Sequence, residues 1–260
     1  MTIDCTNFKV VIPARFSSTR FPGKPLIDLC GKPLIQHVFE RAVESGAAEV
    51  IVATDDERIR LAAHNFGAEV CMTSEVHPSG TDRIAEVALQ LGWNDQDIVV
   101  NLQGDEPLTP PQIINQVARN LGQHSNAGIA TLCTGIRSVE EVFDPHVVKV
   151  VRDARGFALY FSRAPIPWHR DEHKDLTAQH LRQYQRHLGI YAYRVNFLAQ
   201  YTRMHPCPLE LAEKLEQLRA LWNGVHIHVD EAEALPGHGV DTPQDLQQVE
   251  EILISGSLPW

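Results

Sequence analysis

The stretch from Phe8 to Leu34 constrains this chain most, because it joins a short apolar run to a loop rich in cations. Phe8–Ile12 is short and β-branched, which predicts a buried strand that ends at Pro13. In open α/β sheets, the loop that follows such a strand lies where ligands bind. Guanidinium, ammonium and hydroxyl groups there favour a polyphosphate ligand, although a solvated basic loop would have the same composition. These groups belong to Arg15, Ser17, Ser18, Thr19, Arg20 and Lys24.

The overall composition limits the class of protein and of partner. A chain of 260 residues can bury the core of one α/β domain. Its net charge of −10 would repel the phosphates of a nucleic acid from most of the surface. No apolar run approaches membrane-spanning length, and nothing at the N-terminus resembles a cleavable signal. Five scattered cysteines without a C-x-x-C pair are typical of the reducing cytoplasm, where we expect this protein.

The first half of the chain alternates apolar runs with amphipathic stretches. Three runs predict strands, namely Val50–Thr54, Glu69–Met72 and Asp97–Leu102. Helix signals separate them, such as an N-cap at Asp55 or Asp56. This alternation predicts an α/β fold with a mostly parallel central sheet flanked by helices.

The pattern changes beyond about residue 125. Val147–Arg152 and Phe157–Ser162 flank a short turn and predict a hairpin. Leu209–Trp222 predicts one amphipathic helix, and Pro33 suits the first position of a helix nearer the N-terminus. We therefore expect a single domain, in which residues 1–125 bind a nucleotide and residues 126–260 supply the pocket for a second substrate.

Two aspartates are candidates for binding a divalent metal. Asp105 follows the central strand, so it should lie at the same sheet edge as the Arg15 loop. A carboxylate beside a triphosphate is favourable mainly with a metal between them, and Mg²⁺ needs only one or two carboxylates. The expected partner is Asp241. Simpler explanations exist for both, since Asp105 could be a turn residue and Asp241 or Thr242 a helix N-cap.

Other patterns suggest different chemistry and carry less weight. His169–His173 fits the H-x-x-E-H zinc pattern but lacks an apolar helical stripe. His226 and His228 would share one face of a strand, with no third ligand evident. The chain lacks both the P-loop and the G-x-G-x-x-G fingerprint, so a nicotinamide dehydrogenase is not favoured.

The loop P-A-R-F-S-S-T-R-F-P-G-K-P-L resembles the signature loop of the 3-deoxy-manno-octulosonate (Kdo) cytidylyltransferases. One such motif would be weak evidence, but six others resemble the same family in its own order along the chain. They are S-G-T-D-R (Ser79–Arg83), Q-G-D-E-P (Gln103–Pro107), Y-F-S-R-x-P-I-P (Tyr160–Pro167), H-L-G-I-Y (His187–Tyr191), L-E-Q-L-R (Leu215–Arg219) and G-V-D-T-P (Gly239–Pro243).

The resemblance implies a Rossmann-like fold of the nucleotide-diphospho-sugar transferase type and a role for each matching residue. The triphosphate of CTP should be held by Ala14, Arg15, Ser17 and Lys24, with Ser79, Gly80, Thr81 and Arg83 near the base and ribose. The sugar-acid pocket should be lined by Gln103, Arg163, His187, Tyr191, Glu216 and Gln217. Asp105 and Asp241 should bind Mg²⁺, and Arg15, Lys24 and Asp105 should carry the catalysis.

Some of these roles compete with simpler ones. From the residues alone, Tyr191 could belong to the core, and Glu216 with Gln217 could form a solvated helix face. The polar segment 168–185 matches the family poorly and predicts a loop.

The implied reaction transfers CMP from CTP to Kdo and releases pyrophosphate, for bacterial lipopolysaccharide synthesis. The anomeric hydroxyl would attack the α-phosphorus in line, with Mg²⁺ assisting. The resemblance also implies a homodimer. Two alternatives stay open: a cytidylyltransferase for another acidic sugar, such as a sialic acid or 8-amino-Kdo, and a non-catalytic nucleotide-binding module.

Overall fold

The computed structural model describes residues 6–17, 21–77, 79–170 and 176–258, which form an α/β structure around one large sheet. The strands are β1 (Phe8–Ala14), β2 (Asp28–Leu29), β3 (Lys32–Pro33), β4 (Glu49–Thr54), β5 (Glu69–Met72), β6 (Ile98–Asn101), β7 (Ile129–Gly135), β8 (Lys149–Arg152), β9 (Ala158–Ser162), β10 (Gln185–Arg194) and β11 (Ile227–Glu231). The helices are α1 (Leu34–Glu44), α2 (Glu57–Asn65), α3 (Gly80–Gln90), α4 (Pro111–Gln123), α5 (Val139–Phe143), α6 (Ala178–Leu181), α7 (Val195–Tyr201), α8 (Pro208–Glu213), α9 (Gln217–Trp222) and α10 (Pro243–Ser255), with a short 3-10 helix at Lys24–Leu26.

The large sheet has the strand order β11-β7-β10-β6-β1-β4-β5, and the β8–β9 hairpin attaches to β10. The pairs β6–β1, β1–β4, β4–β5 and β11–β7 are parallel, whereas β10 is antiparallel to both β6 and β7. The predicted mostly parallel sheet with helices on its faces and a hairpin in its second half is therefore confirmed.

The central strands read as nearly continuous apolar runs because helices cover both of their faces. In β1, Val10 and Ile12 pack into the cluster that includes α1 and α4. Val11, which points the other way, packs into the cluster that includes α3 and α7. Both layers pack against β1 and β6, so the loops that follow these two strands begin at well-packed strand ends.

The prediction that Pro33 opens a helix is wrong by one residue. Lys32–Pro33 instead pairs with Asp28–Leu29 in a small antiparallel hairpin, and α1 begins at Leu34. Cys30 and Gly31 adopt positive φ in the tight turn between these strands, which brings Pro33 back into an extended conformation.

The single helix predicted over Leu209–Trp222 is two helices. α8 ends at Glu213, Lys214 adopts a left-handed conformation with φ of 55°, and α9 begins at Gln217. Glu213 explains the break, because its carboxylate accepts from the Ser162 hydroxyl at 2.6 Å and its carbonyl accepts from Arg163 Nε at 2.7 Å. The β8–β9 hairpin thus holds the chain where an unbroken helix would continue.

Part of the segment 168–185 lies outside the described residues, including Glu172 and His173 of the H-x-x-E-H pattern. The described part contains α6, a single helical turn at Ala178–Leu181, where the polar sequence predicted only a loop. Across the ranges that the structure covers, no helix has both the length and the apolar character needed to span a membrane.

A histidine stack joins β11 to α4. The rings of His124 and His228 are stacked with centroids 3.7 Å apart, and Phe157 of the hairpin turn lies edge-on to both. Among the described residues, His228 Nδ1 is buried and has no hydrogen-bond partner. Burial and the neighbouring His124 together lower the pKa of His228 from 6.5 to about 4.

We expect His228 to make the fold sensitive to acid. Folding favours the neutral ring, so its stabilisation is complete above pH 6.5 and is lost as the pH falls from 6.5 towards 4. The shift corresponds to about 3 kcal/mol of unfolding free energy. Urea unfolding of the His228→Gln protein should therefore show a weaker loss of stability between pH 7 and 5 than the parent. The exposed His64→Gln serves as control, and equal slopes in all three proteins would contradict this role.

Candidate active site

The loops after β1 and β6 meet at one edge of the sheet because both strands run parallel and end there. Gly104 makes the close approach possible, since a Cβ atom at this position would lie 2.8 Å from the Pro13 carbonyl oxygen. The backbone carbonyl of the next residue, Asp105, accepts a hydrogen bond from the amide of Val240 at 2.8 Å. Three distant segments of the chain are thereby joined beside Asp105.

Replacing Gly104 with Ala should displace this junction. The clash is with backbone, which cannot rotate away, so we expect a loss of about 1–3 kcal/mol of unfolding free energy and reduced activity. Chemical denaturation measures the first effect. A Cβ at Gly135 would meet nothing within 4 Å, so Gly135→Ala is the matched control. Equal stability of the two variants would show that the Gly104 contact does not matter.

The side chains of Asp105 and Asp241 converge on one ammonium group. Lys24 Nζ lies 2.6 Å from Asp105 Oδ2 and 3.1 Å from Asp241 Oδ1, and the lysine is almost buried. The N-cap of α10 is Thr242, whose hydroxyl accepts from the amide of Asp245. Thr242, and not Asp241, is therefore the N-cap, and the Asp241 carboxylate faces Lys24.

The convergence suits a divalent cation. Two carboxylate oxygens that already contact the same positively charged atom can bind Mg²⁺ together, with phosphate oxygens and water as the other ligands. Within the described ranges, no group of three or more His, Cys, Asp or Glu side chains forms a metal site. A metal at this edge would therefore depend on a ligand to complete its coordination.

A third carboxyl group adjoins the pair. Glu106 packs against Gly239, and burial, followed by repulsion from Asp105 and Asp241, raises its pKa to about 8. At neutral pH, Glu106 is thus mostly protonated. Of these three carboxyl groups, the two aspartates therefore carry the negative charge.

Arg15 lies on the other side of β1, against the start of α3. Its Nη2 donates to the carbonyls of His77 and Ser79 at 2.7 and 3.3 Å. Burial and the positive charge of the nearby Arg83 lower the pKa of Arg15. Two guanidinium groups therefore lie close together here. Ala14 is the buried last residue of β1, and Ser17 is exposed beside Arg15. Ser18, Thr19 and Arg20 lie outside the described residues.

The S-G-T-D-R motif forms the first turn of α3. Ser79 is the N-cap, Gly80 begins the helix next to the ring of Pro13, and Thr81 faces a cavity described below. Arg83 differs from the others because it is completely buried, donating to Asp55 Oδ2 at 2.6 Å and to Thr73. The structure therefore places Arg83 beneath the site, beside Arg15, rather than on its surface.

A cavity of about 280 Å³, here called the tyrosine-lined cavity, opens beside Gln103 between α3, β10 and α9. Tyr191 and Tyr193 stack along its wall, 5.8 Å between centroids. Burial raises the pKa of both tyrosines, so their hydroxyls stay protonated. Four of the predicted sugar-binding residues line it: Gln103, Tyr191, Glu216 and Gln217.

The turn between α8 and α9 places two polar side chains in this cavity. Glu216 accepts from the hydroxyls of Thr81 at 3.3 Å and Tyr201 at 3.5 Å, and burial of its carboxyl raises its pKa. Gln217 is buried, and its Nε2 has no hydrogen-bond partner among the residues that the structure describes. A buried donor without a partner is costly, so this amide suits a ligand that brings an acceptor.

Neither His187 nor Arg163 lines the tyrosine-lined cavity, although the His187 ring lies 5.3 Å from the ring of Tyr191. His187 Nε2 is 2.9 Å from the Thr131 hydroxyl, and burial lowers its pKa to about 3, so the ring is neutral. Arg163 donates to the carbonyls of Glu213 and Pro145 at 2.7 and 2.8 Å. Its guanidinium thus supports the turn that carries Glu216 and Gln217.

Several residues at the site were not predicted from the sequence. Asn101 ends the apolar strand β6 and lines the tyrosine-lined cavity, and Tyr193 follows Tyr191 at the two-residue spacing of one strand face. Those two signals were available in the sequence. Tyr201 and Asp55 carried no such signal, because their contacts with Glu216 and Arg83 depend on the packing of separate elements.

Comparison with known proteins agrees with this geometry. The family model described as cytidylyltransferase matches residues 9–227. The 3-deoxy-manno-octulosonate cytidylyltransferase of Thioalkalivibrio sulfidiphilus is 60% identical over 95% of this chain and 99% of its own. The enzyme of the same name from Alkalilimnicola ehrlichii is 58% identical over 98% of this chain and 99% of its own.

A solved structure is similar as well. CMP:2-keto-3-deoxy-manno-octonic acid synthetase complexed with CTP superposes with a TM-score of 0.87 at 44% identity, covering 96% of this chain and 99% of the other. The chain therefore belongs to the cytidylyltransferase family, with the 3-deoxy-manno-octulosonate cytidylyltransferases among its relatives.

Proposed function

We propose that this protein transfers CMP from CTP to Kdo, giving CMP-Kdo and pyrophosphate. The observation that carries the proposal is the convergence of Lys24, Asp105 and Asp241, where Asp105 follows by two residues Gln103 in the wall of a cavity rich in hydroxyl and amide groups. The names of its relatives and the CTP in the similar structure support this choice of substrates.

The cationic side chains would bind the triphosphate. Lys24 would turn from the two carboxylates towards the phosphates, and Arg15, already fixed by two carbonyls, would present its remaining N–H groups. Both cations oppose the charge that develops on the phosphate oxygens in the transition state. Mg²⁺ bound by Asp105 and Asp241 would supply further positive charge at the phosphates.

The tyrosine-lined cavity would bind the acceptor sugar. Gln103, Glu216 and Gln217 can each pair with a hydroxyl, and the stacked tyrosines provide a flat wall for the ring. The anomeric hydroxyl attacks the α-phosphorus of CTP and loses its proton to water. The bond between the α-phosphorus and the bridging oxygen breaks, and the electron pair leaves with pyrophosphate.

A panel of acceptors tests the proposal. Pyrophosphate release from CTP should be fastest, in kcat/KM, with Kdo, compared with 8-amino-Kdo and a sialic acid. A higher kcat/KM with 8-amino-Kdo or with the sialic acid would show that this compound, and not Kdo, is the preferred substrate. CTP binding without any product would favour a non-catalytic nucleotide-binding module.

Arg163 provides a prediction for the acceptor end. Arg163→Ala should raise the KM for Kdo by about fivefold, because the Glu213 turn loses its hydrogen bond from Arg163 Nε, worth roughly 1 kcal/mol. The KM for CTP should stay within a factor of about two. Arg155→Ala, at the exposed tip of the same hairpin, is the control. An unaltered KM for Kdo would remove Arg163 from the acceptor site.

We also propose a cytoplasmic homodimer. The described cysteines, Cys30, Cys71, Cys133 and Cys207, are all unpaired, which supports a reducing compartment. The dimer follows from the family resemblance, and light scattering after gel filtration would test it.

A further inference from the structure

A second group of cavities lies on the opposite face of the sheet from the tyrosine-lined cavity. Its inner chamber, about 180 Å³, is lined by Leu188 and Ile190, which pack in the α4 layer. Tyr191 and Tyr193 of the same strand point into the other layer. An outer chamber of about 580 Å³ continues from the inner one, sharing Arg186, Leu188 and the segment 236–238 with it.

The inner chamber reaches the candidate active site. Its walls include Asn101 and Gln103, which also line the tyrosine-lined cavity, as well as Glu106 and Gly239. Glu106 directly follows Asp105, and Gly239 precedes Asp241 by two residues. The inner chamber therefore begins beside the neighbours of the two aspartates and continues into the outer chamber.

The outer chamber carries an excess of positive charge. Arg137 and Arg186 are exposed, and neither guanidinium makes a hydrogen bond or an ion pair with any residue in the described ranges. The one acid in the wall, Glu141, accepts from the backbone amide of Arg137 at 3.1 Å. Two unpaired arginines in one cavity are notable in a protein with a net charge of −10.

We propose that Arg137 and Arg186 form a secondary binding site for pyrophosphate on its way out. In-line displacement puts the attacking and leaving oxygens on opposite sides of the phosphorus. The acceptor cavity and the arginine chamber lie on opposite faces of the sheet, so the leaving group has a chamber separate from that of the acceptor. Two guanidinium forks match the oxygens of a diphosphate.

This inference rests on the proposed function, so its test keeps the two separate. Calorimetric titration first loads the enzyme with α,β-methylene-CTP and Mg²⁺, which fills the triphosphate site. Pyrophosphate is then titrated into the loaded enzyme. We expect one pyrophosphate to bind to the parent protein and at least tenfold weaker binding to the Arg137→Gln/Arg186→Gln double variant. Arg203→Gln, which removes an exposed arginine outside these chambers, should bind within twofold of the parent.

Two outcomes would overturn the site: no pyrophosphate binding to the loaded parent protein, or equal affinity in the parent and the double variant. Failure of the first titration would instead count against the proposed function. If the double variant does not fold, the single variants Arg137→Gln and Arg186→Gln take its place, and each should weaken binding at least threefold.

Discussion

Replacing Asp105 with Asn should lower kcat by about 10²- to 10³-fold, comparable to the loss of one key electrostatic group in other enzymes. Asn preserves the volume of the side chain but removes the charge that faces Lys24 at 2.6 Å. A neutral amide cannot bind a divalent cation together with Asp241, and it does not hold the ammonium in place. Pyrophosphate release at saturating CTP and Kdo measures the effect.

The control is the same substitution at an exposed hairpin position, Asp28→Asn, which should leave kcat unchanged. Thermal unfolding should place both variants within a few degrees of the parent protein. Turnover by Asp105→Asn close to that of Asp28→Asn would mean that the carboxylate has no part in the reaction.

Replacing Gln217 with Leu should lower kcat/KM for Kdo and should also stabilise the free enzyme against unfolding. The parent amide Nε2 is buried without a partner in the described ranges, so removing it should add about 1 kcal/mol to the unfolding free energy. The sugar would lose its hydrogen-bond partner, which should lower kcat/KM for Kdo by roughly 10- to 100-fold. The KM for CTP should not change.

Gln116→Leu is the matched control. Gln116 is also buried, but its amide donates to the Glu231 carbonyl at 2.8 Å and accepts from the Glu233 amide at 2.9 Å. Its loss should destabilise the protein and leave the Kdo kinetics alone. If both glutamine variants lose stability to the same extent, Gln217 is a structural residue and not a ligand for the acceptor.

The parts of the fold that follow local patterns could be predicted from the sequence. Continuous apolar runs identified β1 and β6 because both faces of these strands are covered. The break at Lys214 could not be predicted, since the stretch is amphipathic throughout and only its contacts with Ser162 and Arg163 end α8. Tertiary contacts decided the outcome there, and they placed Glu216 and Gln217 in the cavity.

The site shows the same division. The motifs indicated which residue types belong together, and the parallel strand ends explained why Asp105 should lie near the Arg15 loop. The sequence did not indicate that Lys24 would join both aspartates, or that Arg83 would be buried beneath Arg15. Those arrangements depend on how α3, α10 and the 3-10 helix pack against the sheet.

We expect Asp105 and Asp241 to hold a divalent cation jointly beside the triphosphate. Electron paramagnetic resonance of Mn²⁺, added to the enzyme with α,β-methylene-CTP, tests it directly. We expect tight binding by the parent protein and by Asp28→Asn, and at least tenfold weaker binding when either Asp105 or Asp241 is changed to Asn. Undiminished Mn²⁺ affinity in both of the latter variants would contradict it.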